Sequence, residues 1–242
     1  MDWKQKLLVS PLYDLFGKRS YAQSGEDLIA WGEFKNSINQ KLKKSKLARG
    51  FYVDIGAYHP KLFSNTYLFY KKGWRGICVD PNPQMEKLYG QARPRDIFVN
   101  VGVGDGSKNQ NQDEGGVMEY FMFEDGAANT FSAEQARKNQ KEAGRKLVGK
   151  RIVDVLPLRE ILEKYIPKGQ KIVLLSVDAE GMDVEVLKSN DWKKYRPELI
   201  ICEDLEFDFK NWKKSEVTKY LVAKGYELKA KTPYSLIFKR VE

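Results

Sequence analysis

The sequence predicts one α/β domain built on a mostly parallel, doubly wound sheet that closes with an antiparallel hairpin. Three observations carry that prediction. Short apolar runs alternate with helix-length segments along most of the 242 residues, the pattern of a parallel sheet flanked by helices. The run KIVLLSV at residues 171–177 is the most continuously apolar, as a central strand covered on both faces must be. Residues 226–230 and 235–239 read as strands around a Thr232–Pro233 turn, and so short a connection joins antiparallel neighbours.

In chain order, the first twenty residues form an amphipathic lead-in. A helix then runs through GEDLIAWGEF with Ser24 as its N-cap candidate. Residues 35–49 are basic and nearly free of apolar side chains, which reads as a solvated loop or helix face. Strands follow at 51–55, 76–79 and 97–101, with helices at 65–72 and 83–92 between them. The strand at 171–177 leads to a helix opening at Asp183, then a strand at 199–202 and a helix at 215–224 that ends at Gly225. Between 104 and 150 the rhythm lapses: MEYFMF at 118–123 reads as an extra strand, and 132–150 as a charged helix or mobile segment. The expected organisation is a helical lead-in over 1–50 and a domain over 51–242. An insertion at about 104–150 would cover the carboxyl ends of the strands, where open α/β sheets bind ligands.

Composition narrows the function classes. Lys and Arg number 42 against 33 Asp and Glu, a net charge of +9 that favours anionic partners without choosing among them. No apolar run approaches the roughly 18 residues of a membrane span, and the opening MDWKQKLLVSPLYDLF lacks the apolar core of a secretion signal. A cytoplasmic protein is therefore expected. Cys78 and Cys202 sit in apolar strands without a cysteine or histidine nearby in sequence, so both read as buried free thiols.

Four segments carry candidate chemistry. In FYVDIGAYHP the first strand runs into Asp54 and Gly56, and a glycine there lets the backbone turn tightly beside a ligand. In a Rossmann-like sheet this loop lies against a nucleoside-bearing cofactor, although the G-x-G-x-x-G fingerprint for a pyrophosphate is missing. The second strand ends in Asp80, about 25 residues later and followed by Asn82; a carboxylate so placed has two oxygens to accept both ribose hydroxyls. In LLSVDAEGMDVEVLK the most buried strand runs into Asp178, Glu180 and Asp183, an arrangement that is costly unless solvated, paired or bound to a cation. ELIICEDLE places Glu203 and Asp204 at the end of the neighbouring strand. Asp178, Glu203 and Asp204 together are a candidate oxygen-ligand set for Mg²⁺ or Mn²⁺. His59, the one histidine of the chain, lies in the first loop, where an imidazole suits proton removal near neutral pH.

Taken together, these segments resemble the FkbM-type methyltransferase family. The likeness begins at YAQSGEDLIA, continues through FYVDIGAYHPKLFSNTYLFYKKGWRGICVDPNP and NTFS, and ends with LLSVDAEGMDVEVLKSNDWKKYRPELIICE. Tyr58 stands where a second histidine or a glycine is common, and Ala179 replaces a usual valine. The resemblance implies an S-adenosylmethionine-dependent O-methyltransferase with a Rossmann-like methyltransferase fold, acting on a sugar hydroxyl of a glycan or nucleotide-sugar in polysaccharide biosynthesis. Asp54, Gly56, Asp80 and Asn82 would then hold the cofactor, with Gln23 and Ser24 closing over it. His59, Asp178 or Glu180 would handle the proton. Tyr120, Phe123 and Asn129, in the insertion, would line the acceptor pocket, since aromatic faces suit sugar rings. The competing expectation, a nucleic-acid-binding or nucleic-acid-modifying protein, rests on charge alone: the basic residues are scattered, with no aromatic–basic platform evident in the sequence.

Overall fold

The computed structural model describes residues 19–41, 50–105 and 116–241, and of residues 36–41 the backbone alone. The expected lead-in up to residue 18 and the 42–49 part of the basic stretch lie outside the described residues. The elements are α1 (Glu26–Lys41), β1 (Phe51–Ile55), α2 (Tyr67–Lys71), β2 (Arg75–Val79), α3 (Gln84–Ala92), β3 (Ile97–Val99), β4 (Gly102–Val103), β5 (Gly116–Phe123), α4 (Ala133–Lys141), β6 (Leu147–Leu156), α5 (Leu158–Tyr165), β7 (Leu174–Val177), α6 (Asp183–Lys188), β8 (Leu199–Glu203), α7 (Glu216–Ala223), β9 (Tyr226–Lys231) and β10 (Ser235–Arg240).

The main sheet has seven strands in the order β3-β2-β1-β7-β8-β10-β9. β3, β2, β1, β7 and β8 pair in parallel, and β10 runs antiparallel to both β8 and β9. Alternation along the buried strands feeds two cores. Phe51, Val53 and Ile55 of β1 face α5, α6 and α7, with Ile161, Val186 and Leu221 opposite. Tyr52 faces the other way, into a cluster with Phe34, Phe69 and Trp74 beneath α1 and α2. The winding reverses between β1 and β7, which opens a crevice at their carboxyl ends.

Three local expectations are corrected. The third strand stops at Val99 rather than at residue 101, because Asn100 Nδ2 donates to the Asp80 carbonyl at 2.7 Å and the chain leaves the sheet. Gly102–Val103 pairs instead with β6. Residues 132–150 are neither one helix nor loose: Ser132 caps α4, and residue 147 onward is the ten-residue strand β6. This strand is the centre of a second sheet, β4-β6-β5. Ser24 does not cap α1, because Gly25, at φ 87°, separates it from the helix. Acidic side chains secure this helix start: Glu26 accepts the Ser24 N–H, and Asp27 accepts the Tyr21 N–H and Ser20 hydroxyl.

Beneath the β1 loop lies Arg93, with its side chain and that of Asp96 fully buried. Arg93 Nε donates to Asp96 at 2.7 Å, Nη1 to the Pro60 carbonyl and Ser64, and Nη2 to Tyr52 and Thr66. That accounts for all five donors of the guanidinium, while its Cζ lies 5.2–5.4 Å from the ring centres of Tyr89, Tyr52 and Tyr70. Removing one partner of so buried a pair strands the other charge. Arg93→Ala should cost about 3–5 kcal/mol in urea unfolding. Arg93→Lys should recover little, since an ammonium has three donors for five acceptors.

Candidate functional site

At the crevice the backbones of two loops nearly touch. Gly56 sits at φ 70°, and a Cβ there would come within 1.7 Å of the Asp178 carbonyl oxygen. Only glycine allows both the turn and the approach. The same junction is tied by Asp178 N–H to the Ile55 carbonyl and by Gly56 N–H to the Val79 carbonyl, each at 3.0 Å. Two residues beside it hold positive φ without being glycine, Tyr58 at 43° and Glu180 at 48°, conformations that persist only where the surroundings enforce them. For Tyr58 the restraint is its N–H donating to Asp80 at 2.8 Å; for Glu180 it is its carbonyl, which accepts the Thr130 hydroxyl at 2.7 Å.

Over this junction lies a cavity of about 430 Å³, within the size range of small-molecule sites. Its wall includes the expected Gln23, Gly56, Asp80, Tyr120, Asn129, Asp178, Glu180 and Glu203. Asp80, held by the N–H groups of Tyr58 and Asn82, keeps lone pairs for further donors. Burial pushes its carboxyl up to about 6. Asp178, Glu180 and Glu203 bring one carboxylate oxygen each within 4.8 Å of one another. Burial first, and then mutual repulsion, raises Asp178 well above the carboxylate range and Glu203 to about 11. Glu180 rises to about 7, chiefly through burial, with Arg145 holding it back.

Other expected residues stand outside the wall of this cavity. Asp54 is buried, where its carboxylate accepts the Thr66 hydroxyl above Arg93. Asn82 is buried and caps the start of α3 by accepting the Gln84 N–H. Phe123 is buried in the small core under β5, and its N–H is held by Asn129 Oδ1. His59 Nδ1 accepts the N–H groups of Lys61 and Leu62, which closes a loop turn. Asp204 turns away from the acidic group and accepts the Ser215 hydroxyl at 2.6 Å; Glu180 takes the place expected of it beside Asp178 and Glu203. The wall also contains residues with no legible signal, Asp125, Gln135 and Arg145, because they lie where the strand–helix rhythm lapses. Arg145 is the one Lys, Arg or His lining the cavity among the described residues, against Asp80, Asp125, Asp178, Glu180 and Glu203. The net charge of +9 thus misrepresents the site, which is acidic.

A parallel sheet wound outward from β1 and β7, closed by an antiparallel β9–β10 pair and bearing an acid-lined cavity at its switch point, is a Rossmann-like methyltransferase fold. Residues 54–228 match the methyltransferase FkbM domain, and the chain belongs to that family of methyltransferases. Among solved structures, the chain is similar to precorrin-6y C5,15-methyltransferase from Geobacter metallireducens GS-15. The TM-score is 0.37 at 12% identity, over 86% of this chain and 89% of that one. No curated protein matches the chain in sequence. Among the described residues, no helix is long and apolar enough to cross a membrane, and Cys78 and Cys202 are free and buried.

The raised Glu180 carboxyl makes stability depend on pH. The unfolded chain releases this proton near 4.5 and the folded protein near 7, so the fold binds the extra proton in that window. The stability linked to Glu180 is full below pH about 4.5 and is lost as pH rises through about 7. Glu180→Gln should leave stability at pH 4 unchanged and raise it at pH 8 by about 1–2 kcal/mol, discounted for partial exposure. Urea unfolding at the two pH values checks this.

Proposed function

We propose that this methyltransferase uses S-adenosylmethionine to methylate a hydroxyl oxygen of a sugar in a glycan or nucleotide-sugar, in the course of polysaccharide biosynthesis. The observation that carries the proposal is the meeting in one cavity of Gly56 and Asp80, on the nucleoside side, with Glu180 and Asp178 on the other. The residues suit the cofactor. Gly56 lets the loop after β1 close against Asp178 at the cavity floor, the lone pairs of Asp80 fit ribose hydroxyls, and an acid-lined wall with a single arginine suits a cationic sulfonium. When bound, the cofactor supplies an electrophilic methyl group.

The chain's own residues position and deprotonate the acceptor. A sugar hydroxyl attacks poorly while protonated, and a base with a pKa near the working pH takes its proton most effectively. Glu180, at about 7, is that base, held in place by its strained backbone and the Thr130 hydrogen bond. Burial first, and then Asp183 and Asp125, keep its proton affinity high against the pull of Arg145. Tyr120 and Phe131, whose ring centres are 4.8 Å apart on the cavity wall, offer an apolar surface to the sugar. The acid lining favours an uncharged glycan over a nucleotide-linked sugar, and it disfavours a nucleic-acid acceptor. Asp178, Glu180 and Glu203 also compose an oxygen set that Mg²⁺ or Mn²⁺ would suit; full turnover in EDTA would leave proton transfer alone.

Asp80→Ala should weaken S-adenosylhomocysteine binding by about 1.5–3 kcal/mol in calorimetry. Wild-type affinity should fall as pH drops below about 6, where Asp80 takes up its proton. Binding of NAD in place of S-adenosylhomocysteine would overturn the cofactor assignment. In assays with labelled S-adenosylmethionine and a panel of glycans, Glu180→Gln should lower kcat by about 10²–10⁴, the range for a lost general base. Unchanged turnover would remove Glu180 from that role.

A further inference from the structure

Outside the cavity, α2 and its flanks present a basic face. Between Asp54 and Asp80 the sequence contains no acidic residue. Lys61, Lys71 and Lys72 from this stretch, with Arg19 and Arg95, are all exposed. Among the described residues none of the five forms an ion pair with a carboxylate; each lies over an aromatic ring instead. Lys71 and Arg19 cover Tyr21, at 5.2 and 5.7 Å from its centre, and Lys61 covers Tyr67 at 5.8 Å. Lys72 covers Trp31, and Arg95 lies 3.8 Å from the centre of Tyr70. The rings adjoin in turn, Tyr21 to Tyr67 at 4.8 Å and Tyr67 to Tyr70 at 6.1 Å, so the cations over Tyr21, Tyr67 and Tyr70 share one continuous surface. At its edge the turn capped by His59 presents Leu62 and Phe63, 50% and 47% exposed. Phe63 is held at φ 57°.

We infer that this face docks the protein on an anionic membrane surface, with its cations against lipid headgroups and Leu62 and Phe63 entering the interface. Clustered cations with no carboxylate paired to them suit a negatively charged bilayer. Apolar side chains beside them provide the second, hydrophobic contribution that peripheral attachment requires. A polyanion such as nucleic acid fits less well: the aromatic rings are capped by the protein's own cations and are not free to stack on bases, and a polyphosphate leaves Leu62 and Phe63 nothing apolar to enter. Phe63 also lines the cavity, so docking would set the cavity mouth at the membrane, within reach of an acceptor displayed there.

Flotation of the full-length protein with vesicles tests the inference. Binding is expected to vesicles of phosphatidylcholine mixed with phosphatidylglycerol, to fall with added salt, and to be lost on phosphatidylcholine alone. Each neutralised cation should weaken binding about fivefold, so Lys71→Gln with Lys72→Gln should weaken it about 25-fold. Leu62→Ser should weaken vesicle binding and leave retention on heparin unchanged. Arg19→Gln serves if the double variant loses its circular dichroism spectrum. Failure to bind the mixed vesicles, or equal binding to phosphatidylcholine alone, would overturn the inference. So would a Leu62→Ser variant that binds vesicles and heparin as the wild type does, the behaviour of a polyanion site. None of these readouts depends on methyl transfer.

Discussion

Where β1 and β7 end, the backbone of Gly56 runs against the carbonyl of Asp178 so closely that no side chain fits between them. That contact is the point from which the sheet winds in both directions. It sets the spacing between the loop that leads to Asp80 and the loop that carries Glu180, and so fixes which groups share the cavity. The irregular conformations cluster beside it: Tyr58 and Glu180 both occupy the left-handed region, and each is held by a hydrogen bond from or to a different part of the chain. Tyr58 is held from β2 through Asp80, and Glu180 from the second sheet through Thr130. The second sheet is therefore one wall of the site and a restraint on it.

The electrostatics run opposite ways inside and outside. The chain as a whole is basic, yet the cavity gathers five carboxylates around a single arginine. Bringing Asp178, Glu180 and Glu203 together under partial burial would be prohibitive if all three were ionised. Their raised proton affinities express that cost. Such a cluster holds at least one proton near neutrality, the perturbed state in which functional carboxyl groups are commonly found. The surplus of positive charge lies elsewhere in the sequence, in two acid-free stretches: six Lys and Arg over residues 35–49 and four between Asp54 and Asp80.

The main sheet was legible in the sequence because its strands are buried on both faces and read as apolar runs; β1 matches its expected bounds to the residue, and α6 begins at the expected Asp183. β6 was not, because it is mostly exposed and its apolar positions are interleaved with Gly149, Lys150, Arg151 and Asp154. Residues 152–155, IVDV, carried the signal that was available. The same difference governs the candidate residues. Asp80, Gly56 and Asp178 follow strands whose ends are readable, and they reach the cavity. Asp54 lies within β1 itself, where side chains alternate across the sheet: its neighbours Val53 and Ile55 face the opposite core, and the Asp54 carboxylate accepts the Thr66 hydroxyl, outside the cavity wall. His59 and Asp204 were attractive by chemistry and adjacency. Each satisfies a local turn or hydroxyl, a commitment that spacing does not reveal.

The buried Arg93 joins the two surfaces that the chain presents. Its guanidinium holds the Pro60 carbonyl and Ser64 on either side of Lys61–Phe63, and it lies beneath Tyr70, which carries Arg95 on its outer side. Through Thr66 it also secures Asp54 at the end of β1, two residues before the Gly56 crossing. The loop with the exposed apolar pair and the loop under the cavity are thus one segment, anchored at both ends to a single cation whose five donors are all in use. A contact made at Leu62 and Phe63 meets a loop whose backbone is already tied down on both sides, at Pro60 and Ser64. Rigid coupling of this kind lets the outer face orient the cavity without reshaping it.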